Sequence, residues 1–176
     1  NAFKASSLKV VFGLRFNAIV GVFISPSTVS VDEDIDFSGD TTHDITLQWS
    51  IIGPGGCCHP EKGPHASGPF VSDGASRISI HHNIIAKEIQ RTPLLYGKTF
   101  EQYVGGTNPI TDVRNNLVYR NASTNLNTQI GLGIHTNIVN NLYLSGLGGA
   151  TYGAVYIVTD GSTSGDPNYL NSAPPL

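Results

Sequence analysis

Apolar and polar residues alternate with a period of two over short stretches of this chain, and the stretches recur. Asp44-Ile-Thr-Leu-Gln-Trp-Ser-Ile-Ile52 aligns with Arg77-Ile-Ser-Ile-His-His-Asn-Ile-Ile85 at an offset of 33, and both end in a pair of isoleucines. Asp112-Val-Arg-Asn-Asn-Leu-Val-Tyr119 reads as the next copy and Ile138-Val-Asn-Asn-Leu-Tyr-Leu144 as another, with Asn116 and Asn141 separated by 25. Leu8-Lys-Val-Val-Phe-Gly-Leu-Arg-Phe16 is expected to be an earlier one. Period-two alternation belongs to strands and excludes helical repeats. The copies recur loosely, every 25 to 37 residues or so, which argues against a propeller blade. Loose spacing suits a parallel β-helix, whose short strands stay in register while the turns between them take insertions.

Alternation carried through the copy at 77–85 places Ile78, Ile80, His82 and Ile84 on one face and Arg77, Ser79, His81 and Asn83 on the other. The recurring Asn83, Asn116 and Asn141 are expected to be structural. Asparagine tolerates the left-handed conformation of a sharp turn, and stacked amides can bond from one coil to the next. His81 and His82 replace Gln48 and Trp49 of the preceding coil, so packing and stacking are expected of them.

The 176 residues fit a single domain, 1–176, large enough to bury about two thirds of the unfolded surface without a disulfide framework. Only 13% of residues are charged and 20 are Gly, a balance of strands and turns. Residues 161–176, rich in Ser, Gly, Asn and Pro, read as a C-terminal loop or tail. No apolar run is long enough to span a membrane, so a soluble chain without a membrane partner is expected. The chain contains no Met, which makes Asn1 an unsuitable translation start and implies a mature chain or a fragment.

A net charge of -3 argues against nucleic acid as a partner. The charge is unevenly spread: seven basic residues fall between Lys62 and Arg120, whereas Asp32, Glu33, Asp34, Asp36, Asp40 and Asp44 occupy thirteen positions without a base. One segment suits an anionic ligand and the other a cation, or both are solvated loops. Cys57 and Cys58 are adjacent and have no other cysteine to pair with. With His59 they offer three zinc donors, but their loop supplies no fourth and the spacing fits no closed site. The Asn121-Ala-Ser123 sequon points to secretion.

Five blocks then fall in one order: Ser30-Val-Asp-Glu33, Asp44-Ile-Thr-Leu-Gln-Trp-Ser-Ile-Ile52, His59-Pro-Glu-Lys-Gly-Pro-His65, Ile78-Ser-Ile-His-His-Asn83 and Arg91-Thr-Pro-Leu-Leu95. In that order they resemble the pectate lyase family, over roughly positions 5–144. The resemblance implies an all-β, right-handed parallel β-helix and a secreted, calcium-dependent enzyme that cleaves polygalacturonate by β-elimination. Such an enzyme must remove the weakly acidic C5 proton of a galacturonate, so the neighbouring carboxylate has to be neutralised while a base stands within reach. Calcium takes six to eight oxygen ligands, and the resemblance assigns Asp32 and Glu33 to it, with Asp36 expected to help. Asp34, Asp40 and Asp44 are expected to be solvated or turn residues.

By the same resemblance Lys62 binds the substrate carboxylate, and Arg91 matches the arginine described as the base at C5. An arginine is normally protonated, so either a strongly positive, partly dry site makes it a base or Arg91 stabilises the enolate while another group takes the proton. His65 is expected to line the cleft.

Two departures stand out. A second arginine, common in the family five positions after the first, is Tyr96 here, so substrate grip is expected to be weaker or to come from Lys98. Residues 17–29 contain no acid where similar enzymes carry a calcium-binding coil. A natural deletion, a fragment without its N-terminal coils and an incompletely read sequence each account for this. The expected protein is thus a monomeric lyase acting on an acidic polysaccharide, or alternatively a non-catalytic β-helix that binds glycans or serves as a structural module. A hydrolase of the same fold would need two acids at hydrolytic separation, whereas the acids cluster before Lys62.

Overall fold

A chain whose alternating stretches keep returning can bury one face of each by laying the copies on one another. The computed structural model describes residues 8–10, 18–20, 34–53, 67–86, 88, 91–97, 109–119, 128–131, 133–144 and 154–157. Among these residues all regular structure is strand, as expected of an all-β chain. β1 (Leu8–Val10) and β2 (Ala18–Val20) are followed by β3 (Ile35–Ser38), β4 (His43–Gln48) and β5 (Ile51–Ile52). Then come β6 (Phe70–Ser72), β7 (Ser76–His81), β8 (Ile84–Ala86), β9 (Leu94–Leu95), β10 (Ile110–Arg114) and β11 (Leu117–Tyr119). β12 (Thr128–Ile130), β13 (His135–Val139), β14 (Leu142–Leu144) and β15 (Val155–Ile157) complete the series.

The strands form three parallel sheets that the chain visits in rotation. The first has the order β1-β3-β6-β9-β12-β15, the second β2-β4-β7-β10-β13 and the third β5-β8-β11-β14. The offset of 33 read from the sequence is the register itself, pairing Ile45 with Ile78 and Ile52 with Ile85. From β4 onward the second and third sheets share the same offsets, 33, 33 and 25. The first sheet steps by 34, 24 and 35 over the same circuits. One assignment changes: Leu8–Val10 pairs with Ile35, Asp36 and Phe37 in the first sheet, and the strand beside Ile45–Leu47 is Ala18–Val20. Alternation identifies a strand but not which of three sheets it joins.

The core is built of stacked rows. Leu47, Ile80 and Val113 are in register in the second sheet, and Ile52, Ile85 and Val118 in the third, all within 2% of complete burial. Each such side chain contributes roughly 1.5–3 kcal/mol of transfer free energy. Where Ile45 and Ile78 give way to Thr111 and Thr136 in the adjoining row, the hydroxyls bond to each other at 2.8 Å.

The alternation does not run through the corner between the second and third sheets. Trp49, His82, Asn115 and Asn140 all have left-handed backbones, with φ of 54° to 56°. One such residue turns the chain and shifts the phase, so His82 and Ile84 face outward while Asn83 and Ile85 face in. The recurring asparagines are therefore not the left-handed residues; those stand one position earlier. The expected stacking of the amides is present. The Oδ1 atoms of Asn83, Asn116 and Asn141 accept the backbone N–H of Ser50, Asn83 and Asn116, each at 3.0 Å. Their Nδ2 atoms donate to the carbonyls of Leu47, Ile80 and Val113, each at 2.9 Å. Asn83 and Asn116 also donate to the next Oδ1 along, at 3.1 and 2.9 Å.

The acids after Asp32 divide differently from expectation. Asp34, expected in solvent, is 3% exposed, and its N–H donates to the Ser67 carbonyl at 2.9 Å. Pairing with the next circuit carries its backbone into the interior. Asp40 is exposed, as expected of a turn residue. Asp44 accepts two hydrogen bonds from the Arg77 guanidinium and one from His43. The Arg77 hydrogen bonds, above all, hold its carboxyl well below the usual carboxylate range.

Asn116→Ala leaves the Asn83 N–H and the Ile80 carbonyl buried without partners. It is expected to cost about 3 kcal/mol in urea unfolding; an unchanged midpoint would mean the ladder contributes nothing net. Because the Asp44 carboxyl titrates lower folded than unfolded, its contribution is complete above about pH 4 and fades as the pH falls further. The stability gap between the chain and Asp44→Asn should accordingly close on acidification, and a gap independent of pH would refute the pairing.

Candidate functional site

Two expected site residues are neighbours of Phe70, on the outward row of the first sheet. Asp36 lies on β3 in register with Phe70 on β6, which in turn pairs with Leu94 on β9. Phe37, Val71 and Leu95 point into the core, so Asp36, Phe70 and Leu94 share the opposite face. That face is partly covered: Leu94 is 8% exposed, and Gln129, next along the row, 5%. Three residues before β9, Arg91 has its guanidinium carbon 5.6 Å from the Phe70 ring centroid. Both Asp36 and Arg91 are half-buried, so Phe70 joins an acid on its own row to a cation from the connection leading into β9.

Two glycines seat this connection. At Gly53, with φ of 102°, a Cβ would lie 2.0 Å from the Ala86 carbonyl oxygen and 2.4 Å from Oε1 of Glu88. Glu88 itself is 2% exposed. At Gly68 a Cβ would lie 2.7 Å from the Arg91 carbonyl oxygen and 3.5 Å from the Glu88 Cγ. The absence of a side chain at Gly68 thus lets the Arg91 backbone approach the circuit before it. The Arg91 backbone is left-handed, with φ of 58°, and the following Thr92–Pro93 bond is cis.

No family model matches the chain, and neither a curated protein nor a solved structure does.

Of the other expected site residues, Lys62, His65, Lys98, Asp32 and Glu33 lie outside the described residues, as do Cys57, Cys58, His59 and Asn121. Among the described residues no group of three or more His, Cys, Asp or Glu side chains could hold a metal ion. Of the acids expected to bind calcium only Asp36 is among them, and its carboxylate is the hard oxygen donor that calcium takes. Tyr96, which stands where the resemblance leads one to expect a second arginine, lies against Gly131, where a Cβ would come within 2.0 Å of the ring. Its N–H donates to the Val71 carbonyl at 2.8 Å, and burial pushes its phenol pKa up.

The expected stacking of the histidines is found at the other corner. His82 stacks on Trp49 with centroids 4.6 Å apart, and His81 is in register with Gln48. Neither enters the core, because the left-handed turn at His82 points its side chain outward. Burial, then the charges of His82 and Arg114, hold the His81 imidazole below its ordinary pKa.

Sequence reasoning missed Phe70 and Glu88. For Phe70 a signal existed: Pro69-Phe-Val71 and Pro93-Leu-Leu95 are the same Pro-apolar-apolar step 24 residues apart, and aligning them brings Arg91 toward Phe70. Gly68→Ala is expected to lower stability by about 2 kcal/mol through overpacking against the Arg91 carbonyl. Thermal unfolding checks this, and a midpoint equal to that of the parent chain would show that the two backbones do not touch.

Proposed function

We propose that the chain is a right-handed parallel β-helix acting outside the cell as a pectate lyase-like enzyme, cleaving polygalacturonate or a similar acidic polysaccharide by calcium-assisted β-elimination. The observation that supports this reading is that Asp36, expected to help hold calcium, and Arg91, matched to the family's arginine, both neighbour Phe70 although they are 55 positions apart. The three-sheet rotation supports the β-helix, and the sequon at Asn121 supports secretion.

Within this reading each residue has a task. Arg91 stands at C5 of the reacting sugar and holds the negative charge that develops as the proton leaves. The face of Phe70 attracts a guanidinium and so steadies the Arg91 side chain. Lys62 binds the carboxylate of the same sugar, with His65 and Lys98 along the chain on either side. Asp36, with Asp32 and Glu33, would hold calcium, which when bound neutralises substrate carboxylate charge. Hydroxide accepts the proton, which requires alkaline conditions. The C4–O bond breaks as the C4–C5 double bond forms, and the departing oxygen takes a proton from water, leaving an unsaturated uronide and a new chain end.

Tyr96 favours one competing reading, a non-catalytic glycan-binding or structural module. Its ring is committed to Gly131 and a phenol does not replace a bidentate cation for carboxylate.

The test is ultraviolet detection of unsaturated uronides from polygalacturonate with calcium in excess. The rate is expected to rise with pH between about 8 and 10, since hydroxide, the proton acceptor, becomes more abundant there. Arg91→Ala should lower it roughly a thousandfold, and Arg91→Lys should restore little because it lacks the planar fork. Absence of product from every uronic-acid polymer tried would overturn the lyase reading in favour of the module.

A further inference from the structure

The third sheet presents a surface of a different character from the site at Arg91. Residues 49–52, 82–86, 115–119 and 140–144, which form this sheet and its corner with the second, include no Asp, Glu, Lys or Arg. The outward face of the second sheet, by contrast, carries the Asp44–Arg77 and Asp112–Arg114 ion pairs. Ile51, Ile84, Leu117 and Leu142 are in register along the third sheet and face outward. Leu142 is 56% exposed and Ile51 46%. Such a row of apolar side chains is normally covered in a folded chain.

Beside the apolar row runs the corner row of Trp49, His82, Asn115 and Asn140. Trp49 is 69% exposed although one face is stacked on His82, so the exposure comes from its other face and edge. Between the rows is an open cleft of about 360 Å³, bounded by Trp49, Ile51, His82, Ile84, Asn115 and Leu117. The surface therefore combines a flat apolar strip, an aromatic ring and a line of amide and imidazole hydrogen-bonding groups. These groups recur at the strand spacing of about 4.8 Å.

We infer that this strip is a second carbohydrate site, on a different sheet from the row at Phe70, which takes an uncharged linear polysaccharide along the axis on which the strands stack. Pyranose rings are apolar on their faces and polar at their rims. Laid on the strip, they place the faces on Trp49, Ile51 and Ile84 and the hydroxyls beside His82, Asn115 and Asn140. Charge matching favours the neutral polymer: the strip itself carries no Lys or Arg, so a uronate would have to desolvate its carboxylates over an apolar row. The strip would hold the protein on a neutral glycan while an acidic one is processed elsewhere. This inference goes beyond the proposed lyase reading and does not depend on it.

Trp49 is the only tryptophan in the chain, so its emission reports on this surface alone. Titration of the full chain with cellohexaose and with xylohexaose should give a saturable emission change with at least one of them. Hexagalacturonate should bind there at least tenfold more weakly. By calorimetry, Trp49→Ala and Ile84→Asp should each weaken binding of the neutral oligomer at least tenfold without shifting the unfolding midpoint; Arg91→Ala should leave it unchanged. The inference is overturned by a flat response to both neutral oligomers or by equal affinity for hexagalacturonate. Sedimentation showing a dimer that Ile84→Asp converts to monomer would also overturn it, because the strip would then be a self-interface. Polygalacturonate cleavage that is lost in Arg91→Ala and retained in Trp49→Ala distinguishes the fate of the lyase reading from that of the strip.

Discussion

The whole arrangement depends on one hydrogen-bonded row, the amides of Asn83 and Asn116, which are buried, and of Asn141, which is half-buried. A parallel sheet leaves each corner of the chain with backbone groups that the neighbouring strand cannot reach, and in the interior such groups are costly to leave unpaired. Each asparagine serves the circuit before it, accepting one N–H with its oxygen and covering one carbonyl with its nitrogen. That fixes where the left-handed corner residue stands, and with it the phase in which the third sheet begins. The rows of Ile, Leu and Val align because the corner allows only one phase.

This also explains how much could be read from the chain beforehand. The repeats at 44, 77, 112 and 138 were legible because the corner keeps their spacing identical in two sheets. The phase shift at His82 was not, since alternation carries no mark of a single left-handed residue, and histidine is not the residue type that would announce one. The first sheet was harder still. Its strands are two to four residues long and its offsets vary, so Leu8–Val10 was placed in the wrong sheet and Phe70 was not connected with Arg91.

Of the proposed site residues, Arg91 was nominated through the ordered blocks and Asp36 through the acidic run that follows Asp32. Arg91 and Asp36 are unremarkable singly, and no local pattern requires an arginine before Thr-Pro or an acid at the second position of a strand. What the three-dimensional arrangement adds is the reason for their neighbourhood: a phenylalanine between them, and a glycine behind that lets the Arg91 backbone close in. Asp34 illustrates the opposite case. An acid in an acidic run looks solvated, yet the parallel pairing that follows it buries the residue.

The contrast in offsets has a further consequence. The corner between the second and third sheets admits no change in residue number, since one added residue would turn every following side chain to the wrong face. The connections into and out of the first sheet obey no such rule, and the offsets of 34, 24 and 35 record the freedom they already have. Arg91 is carried by one of these free connections. The chain therefore separates heredity of shape from heredity of chemistry: segments flanking the first sheet can be lengthened, exchanged or borrowed from another protein, while the asparagine row continues to count the circuits.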